Sequence, residues 1–221
     1  MFIGHYAVAL AAKRAAPKAS LGVLFAATQL PDLVWPVCVL TGLEHVAIAP
    51  GITAFNPLDF TSYPWSHSLL MVIAWGLAAG LGYFAWNRDR AGALAVTLLV
   101  VSHWVLDWIT HRADLPLWPG DRARVGLGLW HSVTGTLVIE CSLYLAGTVL
   151  YLRGTRPLDS VGRRALPALL LVLAGFYVAD RFGTPPPNST FLGWFALIGG
   201  LIPVIWAAWG DRHRTVQPPA R

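Results

Sequence analysis

The chain has 221 residues, of which 56% are hydrophobic and only 12% charged, about half the ~25% charge of a soluble domain. With a mean hydropathy of +0.56, this excludes an ordinary soluble domain and predicts one helical domain embedded in a membrane. The net charge of +5 does not imply nucleic acid, because the basic residues sit in short flanks between apolar runs, where lipid headgroups are their neighbours.

The opening stretch, MFIGHYAVALAAKRAAPK, places its charges after the apolar run, the wrong order for a secretory signal peptide. FIGHYAVALAA covers about half a bilayer at ~1.5 Å per residue and predicts a short half-helix carrying His5. Six apolar runs follow, near 20–40, 68–86, 91–110, 128–152, 165–180 and 190–209, against the ~20 residues a span requires. The fifth is short and is expected to tilt little or to be partly re-entrant. Between the runs lie NRDR (87–90), a Pro/Gly/Arg loop (112–127), RGTRPLDSVGRR (153–164) and FGTPPPNST (182–190); the last is polyproline-like and cannot be helical. The expected architecture is an all-α polytopic transmembrane helical bundle of about six spans plus the N-terminal half-helix. It forms a single domain over 1–210, followed by a polar, disordered cytoplasmic tail over 211–221. Neither an internal repeat nor a second soluble domain is visible. Cys38 and Cys141 fall in different apolar runs without a C-x-x-C pattern and are expected to be small core residues.

Lys and Arg set the orientation, since cytoplasmic loops are enriched in them. If the span at 20–40 leaves the cytoplasm, twelve of the sixteen lie on one side, leaving Arg112, Arg122, Arg124 and Arg181 on the other. The C-terminus is then cytoplasmic, and the long loop 41–66, free of Lys and Arg, is outside.

That topology gathers the ionisable residues of the apolar stretches at one level. His5, Asp32, His67, His103, Asp107, His111 and His131 all fall in the outer half of the membrane. A carboxylate deep in a membrane helix costs roughly 2.5–3.5 kcal/mol, so Asp32 and Asp107 together cost about 5–7 kcal/mol unless compensated. No Lys or Arg in either helix stretch can pair with them. Two compensators fit. A divalent metal takes anionic oxygen and neutral imidazole together, whereas proton relay in a transporter uses the same residue types. His103 and Asp107, four apart, stack on one helix face, as two ligands of one ion would. Pro31 disturbs its helix beside Asp32 and is expected to turn the carboxylate inward. Ser66, Ser68, Ser102 and Ser132 flank the histidines. They either orient ligands or ease helix packing. Glu140, nine residues after His131, points to another face and is expected to form a helix-to-helix hydrogen bond.

Four of these elements, in this order, resemble a known family: Gly4-His5, Leu30-Pro31-Asp32, Ser66-His67-Ser68, and Ser102-His103-x-x-x-Asp107-x-x-Thr110 followed by Leu117-Trp118-Pro119. They are similar to the bacterial inner-membrane metal-dependent hydrolases of the LexA-regulated type, distant relatives of zinc-dependent phospholipase C and P1-type nucleases. The resemblance covers about residues 1–135. It implies a multi-pass protein of the bacterial inner (plasma) membrane with His5, His67, His103 and Asp107 as metal ligands, and Asp32 as a ligand or general base. In the soluble phospholipases a later His is followed four residues on by Glu; here His131 is followed by Gly135. One or two ions, zinc foremost, are therefore expected, with His111 as a further candidate ligand. The expected reaction is phosphoester hydrolysis on a lipid or lipid-linked substrate. The alternative is a cation or proton-coupled transporter, and a third possibility is a protein whose polar cluster only joins helices. The sequence gives no signal of oligomeric state.

Overall fold

The structure of the protein, a computed structural model, describes residues 1–217. It is 66% helical with only short strands, an all-α polytopic bundle as expected. The half-helix is α1 (Ile3–Ala12). The first span is broken into α2 (Leu21–Thr28) and α3 (Leu30–Leu40), bent by 54°. Pro31 lies in the first turn of α3, where its missing N–H and its ring interrupt the helix ladder. A one-turn helix, α4 (Pro64–His67), precedes α5 (Leu69–Asn87) and α6 (Arg90–Thr110). Three long helices complete the bundle: α7 (Val133–Gly154), α8 (Ser160–Phe182) and α9 (Ser189–Asp211). Five helices are long and apolar enough to cross a membrane, or six if the bent α2–α3 pair counts as one span.

Short polar side chains start most of these helices. Ser20, Ser68, Ser132, Asp159 and Asn188 each accept a backbone N–H three residues on, replacing an intrahelical partner the first turn lacks. Asp159 also explains a departure from the sequence reading. The apolar run at 165–180 looked short, but the cap starts α8 at Ser160 and the helix runs 23 residues to Phe182. It is a full span that carries Arg163 and Arg164 in its opening turns.

The core centres on α1, which packs against α2, α6 and α7. Tyr6, Leu10, Leu24, Phe25, Val100, Leu169 and Leu173 are buried together. Gly147 of α7 lets α1 approach: a Cβ there would lie 2.3 Å from the Ala7 carbonyl oxygen. The outward faces carry Leu77, Leu81, Leu98, Leu145, Leu171 and Ile205, an apolar surface suited to lipid. Cys38 is buried as expected; Cys141 is exposed on α7, because its position on that helix faces away from the bundle.

One end of the bundle is covered by an antiparallel hairpin, His45–Ile48 with Leu58–Ser62, in what the sequence presents only as a loop. At the opposite, basic end, Thr155–Pro157 pairs with Arg214–Val216. Arg214 donates to the Gly162 carbonyl at 2.7 Å, and Gln217 N–H to the Gly154 carbonyl at 2.8 Å. The expected disorder of the tail is thus overturned through Gln217: backbone pairing with the α7–α8 turn holds it. Residues 218–221 lie outside the described residues.

Candidate metal centre

Four helices converge beneath the hairpin. On α6, His103 and Asp107 share a face, with Nε2 3.0 Å from Oδ2. From α1, His5 Nε2 lies 3.1 Å from Asp107 Oδ1, and its ring stacks on that of His103 at 3.8 Å. From α4, His67 Nε2 lies 3.4 Å from Asp32 Oδ1 of α3 and 3.7 Å from Asp107 Oδ2. His103 Nε2 lies 3.7 Å from Asp32 Oδ1. Two overlapping sets result, His5–His103–Asp107 and Asp32–His67–His103. Within each, one ligating atom per residue falls within 4.8 Å of the others. The half-helix does reach the cluster. The three histidines and Asp107 are buried, whereas the Asp32 side chain is 41% exposed and forms the accessible edge of the site.

Hydrogen bonds fix which nitrogen faces inward. His103 Nδ1 lies 2.6 Å from the carbonyl oxygen of Thr28. A carbonyl only accepts, so Nδ1 carries the proton and Nε2 of the neutral ring carries the lone pair. That Nε2 is buried without a hydrogen bond, although it stands 3.0 Å from a carboxylate oxygen. His67 Nδ1 lies 2.7 Å from Ser66 Oγ, and Ser66 Oγ donates to Glu44 Oε2 at 2.6 Å. With its proton given to Glu44, Ser66 accepts from His67 Nδ1–H, and His67 Nε2 also points its lone pair into the cluster. This is the arrangement by which histidine ligands are held: one nitrogen donating to a fixed acceptor, the other free for a cation.

The fixed charge around the cluster is strongly negative. Asp32, Asp107, Glu44 and Glu140 surround it, the last three of them buried. Against them the described residues offer the amino group of Met1, 2.5 Å from Asp107 Oδ1 and 3.2 Å from Thr110 Oγ1. Glu140 Oε2 accepts the backbone N–H groups of Phe2 at 2.8 Å and Gly4 at 3.3 Å. It is the helix-to-helix hydrogen bond expected of it, and it fixes α1 beside the site.

His111 and His131 stand apart from these sets. Helix α6 ends at Thr110, and His111 takes extended backbone angles, which turn its ring off the His103–Asp107 line. Its Nδ1 pairs with Asp114 Oδ1 at 3.0 Å, and Tyr63 donates to the same oxygen at 2.8 Å. Burial pushes the His111 imidazole below its ordinary range, against the pull of Asp114. Burial and the neighbouring Asp114 hold the Tyr63 hydroxyl well above its own. Arg112 closes this network, pairing with Asp114 at 3.1 Å and with Asp59. His131 is exposed, in a 3₁₀ turn (Leu129–His131) that precedes α7. Gly128 with φ 75° keeps the chain from entering helix as early as the apolar run suggested.

The four serines divide. Ser66 alone touches a cluster histidine; Ser68 and Ser132 cap α5 and α7, and Ser102 donates to Leu99 of its own helix. Sequence reasoning missed Glu44, the Thr28 carbonyl and the Met1 amino group. Of these only Glu44 left a signal, as an acid in the Lys/Arg-free loop before Ser66.

Fold and site together define a multi-span helical membrane protein with a buried His/Asp cluster at one end of the bundle. Residues 1–184 match the YdjM inner membrane protein family, and the chain belongs to that family: it is a multi-pass protein of the bacterial inner membrane. The matched region contains α1 to α8 and every cluster residue. Neither a curated protein nor a solved structure matches the chain.

Proposed function

We propose that this YdjM-family protein is a membrane-embedded, metal-dependent hydrolase of phosphoester bonds in a lipid or lipid-linked substrate. One observation carries the metal: His103 Nε2, which in the neutral ring holds the lone pair because Nδ1–H serves Thr28, is buried without a hydrogen bond 3.0 Å from Asp107 Oδ2. Two acceptors facing each other in a low-dielectric interior repel, and a cation shared between them removes the conflict. The donor set of imidazoles and carboxylates is that of zinc. Two overlapping triads sharing His103 suit one ion or a close pair. His5, His67, His103 and Asp107 would hold the metal, with Asp32 at its open edge.

A divalent ion in this setting supplies positive charge for phosphoryl oxygens and makes water acidic near neutral pH. The Asp32 carboxylate, as the accessible acid, takes the proton of the attacking water. The water oxygen forms the new bond to phosphorus, the phosphoester P–O bond breaks, and the leaving alkoxide takes back the proton that Asp32 received from the water. Asp107 and the histidines, locked by Thr28, Ser66 and Glu140, keep their geometry without reorganising. The four motif elements resembling the inner-membrane hydrolases supply all five cluster residues, His5, Asp32, His67, His103 and Asp107, and support the same chemistry. Orientation belongs to the proposal: by the Lys/Arg distribution the hairpin and site face the outer half and the C-terminus is cytoplasmic, at a depth where phospholipid headgroups meet acyl chains.

The broken α2–α3 span, bent by 54° beside the site, favours a second reading, a cation or proton-coupled transporter. Toward the basic end, however, Leu10, Leu24 and Phe25 fill the bundle without exposure. Assays in lipid nanodiscs and proteoliposomes separate the two. Zinc-loaded protein should release a phosphorylated headgroup detectable by ³¹P NMR, and Asp32→Asn should abolish release. Zinc or proton flux without any phosphoester product would establish the transporter instead.

A further inference from the structure

Glu44 is a buried carboxylate outside the sets that can ligate a metal. It lies just before the hairpin, 1% exposed. Its Oε1 accepts the N–H groups of Trp65 at 2.7 Å and Ser66 at 2.8 Å, and its Oε2 the Ser66 hydroxyl at 2.6 Å. Among the described residues these donors are its partners, and no Lys or Arg neutralises it. Holding such a charge in the interior is costly, and a helix turn as short as α4 does not by itself call for an acid.

We infer that Glu44 is a positioning residue that sets the tautomer of His67 through Ser66, so that His67 Nε2 meets the cluster as a lone pair. The direction of the relay follows from the donor inventory. An ionised carboxylate accepts only, so Ser66 O–H must point to Glu44. Ser66 Oγ must then accept from His67 Nδ1–H at 2.7 Å, and the ring's remaining lone pair lies on Nε2, 3.4 Å from Asp32 Oδ1. Replacing Glu44 by glutamine inverts the chain almost isosterically. The amide oxygen still accepts from Trp65 and Ser66, while the amide NH₂ donates to Ser66 Oγ. Ser66 O–H turns to His67 Nδ1, and the imidazole proton moves to Nε2, where it blocks ligation. The link to metal binding rests on the hydrolase reading above; the tautomer does not.

The test uses full-length protein in nanodiscs, with ¹⁵N-labelled histidine for NMR and zinc titration. Metal-free wild type should show His67 protonated at Nδ1, and Glu44→Gln should show it protonated at Nε2, with zinc affinity lowered about 10- to 100-fold. Glu44→Asp, which keeps the acceptor, should retain Nδ1 protonation. Wild-type protein protonated at Nε2, or Glu44→Gln with unchanged tautomer and zinc affinity, overturns the inference. If Glu44→Gln fails to fold, Ser66→Ala cuts the relay while leaving Glu44 on both backbone N–H groups; unaltered Nδ1 protonation and affinity there would equally overturn it. If wild type binds no zinc, the hydrolase reading fails, while the Nδ1-to-Nε2 exchange still decides the role of Glu44.

Discussion

Glu140 of α7 accepts the backbone N–H of Phe2 at 2.8 Å, and through that bond a residue in mid-sequence fixes the start of the half-helix that carries His5. The first N–H groups of a helix have no intrahelical partner, and in a membrane no water replaces one. Truncation to Glu140→Ala leaves the half-buried donor of Phe2 and the buried donor of Gly4 unmet. It should destabilise the protein by about 1–3 kcal/mol, read as a lowered melting temperature in detergent, whereas Glu140→Gln, which keeps an acceptor oxygen, should lose less. Equal melting of wild type and Glu140→Ala would show that the cap contributes nothing.

Lys13 and Asp211 form the counterpart lock at the basic end. Lys13 Nζ lies 2.6 Å from Asp211 Oδ2, and Tyr151 donates to Asp211 Oδ1 at 2.6 Å, with both ion-pair side chains buried. Removing one partner of a buried pair strands the other charge and costs about 3–5 kcal/mol. Asp211→Ala and Lys13→Ala should each destabilise on that scale, and the double variant should lose much less than their sum. Additive losses in denaturation of the purified protein would contradict this coupling.

Much of this was legible in the sequence, and the rest was hidden for specific reasons. Apolar run lengths gave the spans, and the i, i+4 spacing put His103 and Asp107 together, because helix periodicity is local. Convergence of His5 with that pair depends on α1 packing against α6 and α7, and that of Asp32 on the 54° break between α2 and α3; composition alone encodes neither. Depth, together with the family resemblance, puts His111 and His131 in the expected set; the helix end at Thr110 and the glycine before the Leu129–His131 turn send them elsewhere. Glu44 and Thr28 act through a carboxylate in a loop and a main-chain carbonyl, for which no residue pattern exists.

His131 and His111 therefore furnish controls. His131→Ala should leave bound metal at the wild-type level. His111→Ala, which breaks the Tyr63–Asp114 network, should alter stability before it alters metal content. Metal analysis of the two folded variants checks both, and loss of metal in His131→Ala would place the centre differently.

Acid should act on the start of α8. The Gly162 N–H and, after it, His213 hold the Asp159 carboxyl below the usual carboxylate range. Its folded-state pKa is depressed, so the cap's stabilisation is present above the unfolded pKa near 4 and is lost as pH falls through the lower folded value. Amide exchange at Gly162 should accelerate as pH drops below about 4, beyond the intrinsic pH dependence of exchange. In Asp159→Ala that extra step should be absent.

Metal content by mass spectrometry, on zinc-supplied, detergent-purified protein beside His103→Ala and Asp107→Ala, tests the centre most directly. Wild type should hold near-stoichiometric zinc, lost in both variants while their helical content is retained. Folded wild-type protein without bound metal would contradict the metal centre and leave the cluster to proton transfer or helix packing.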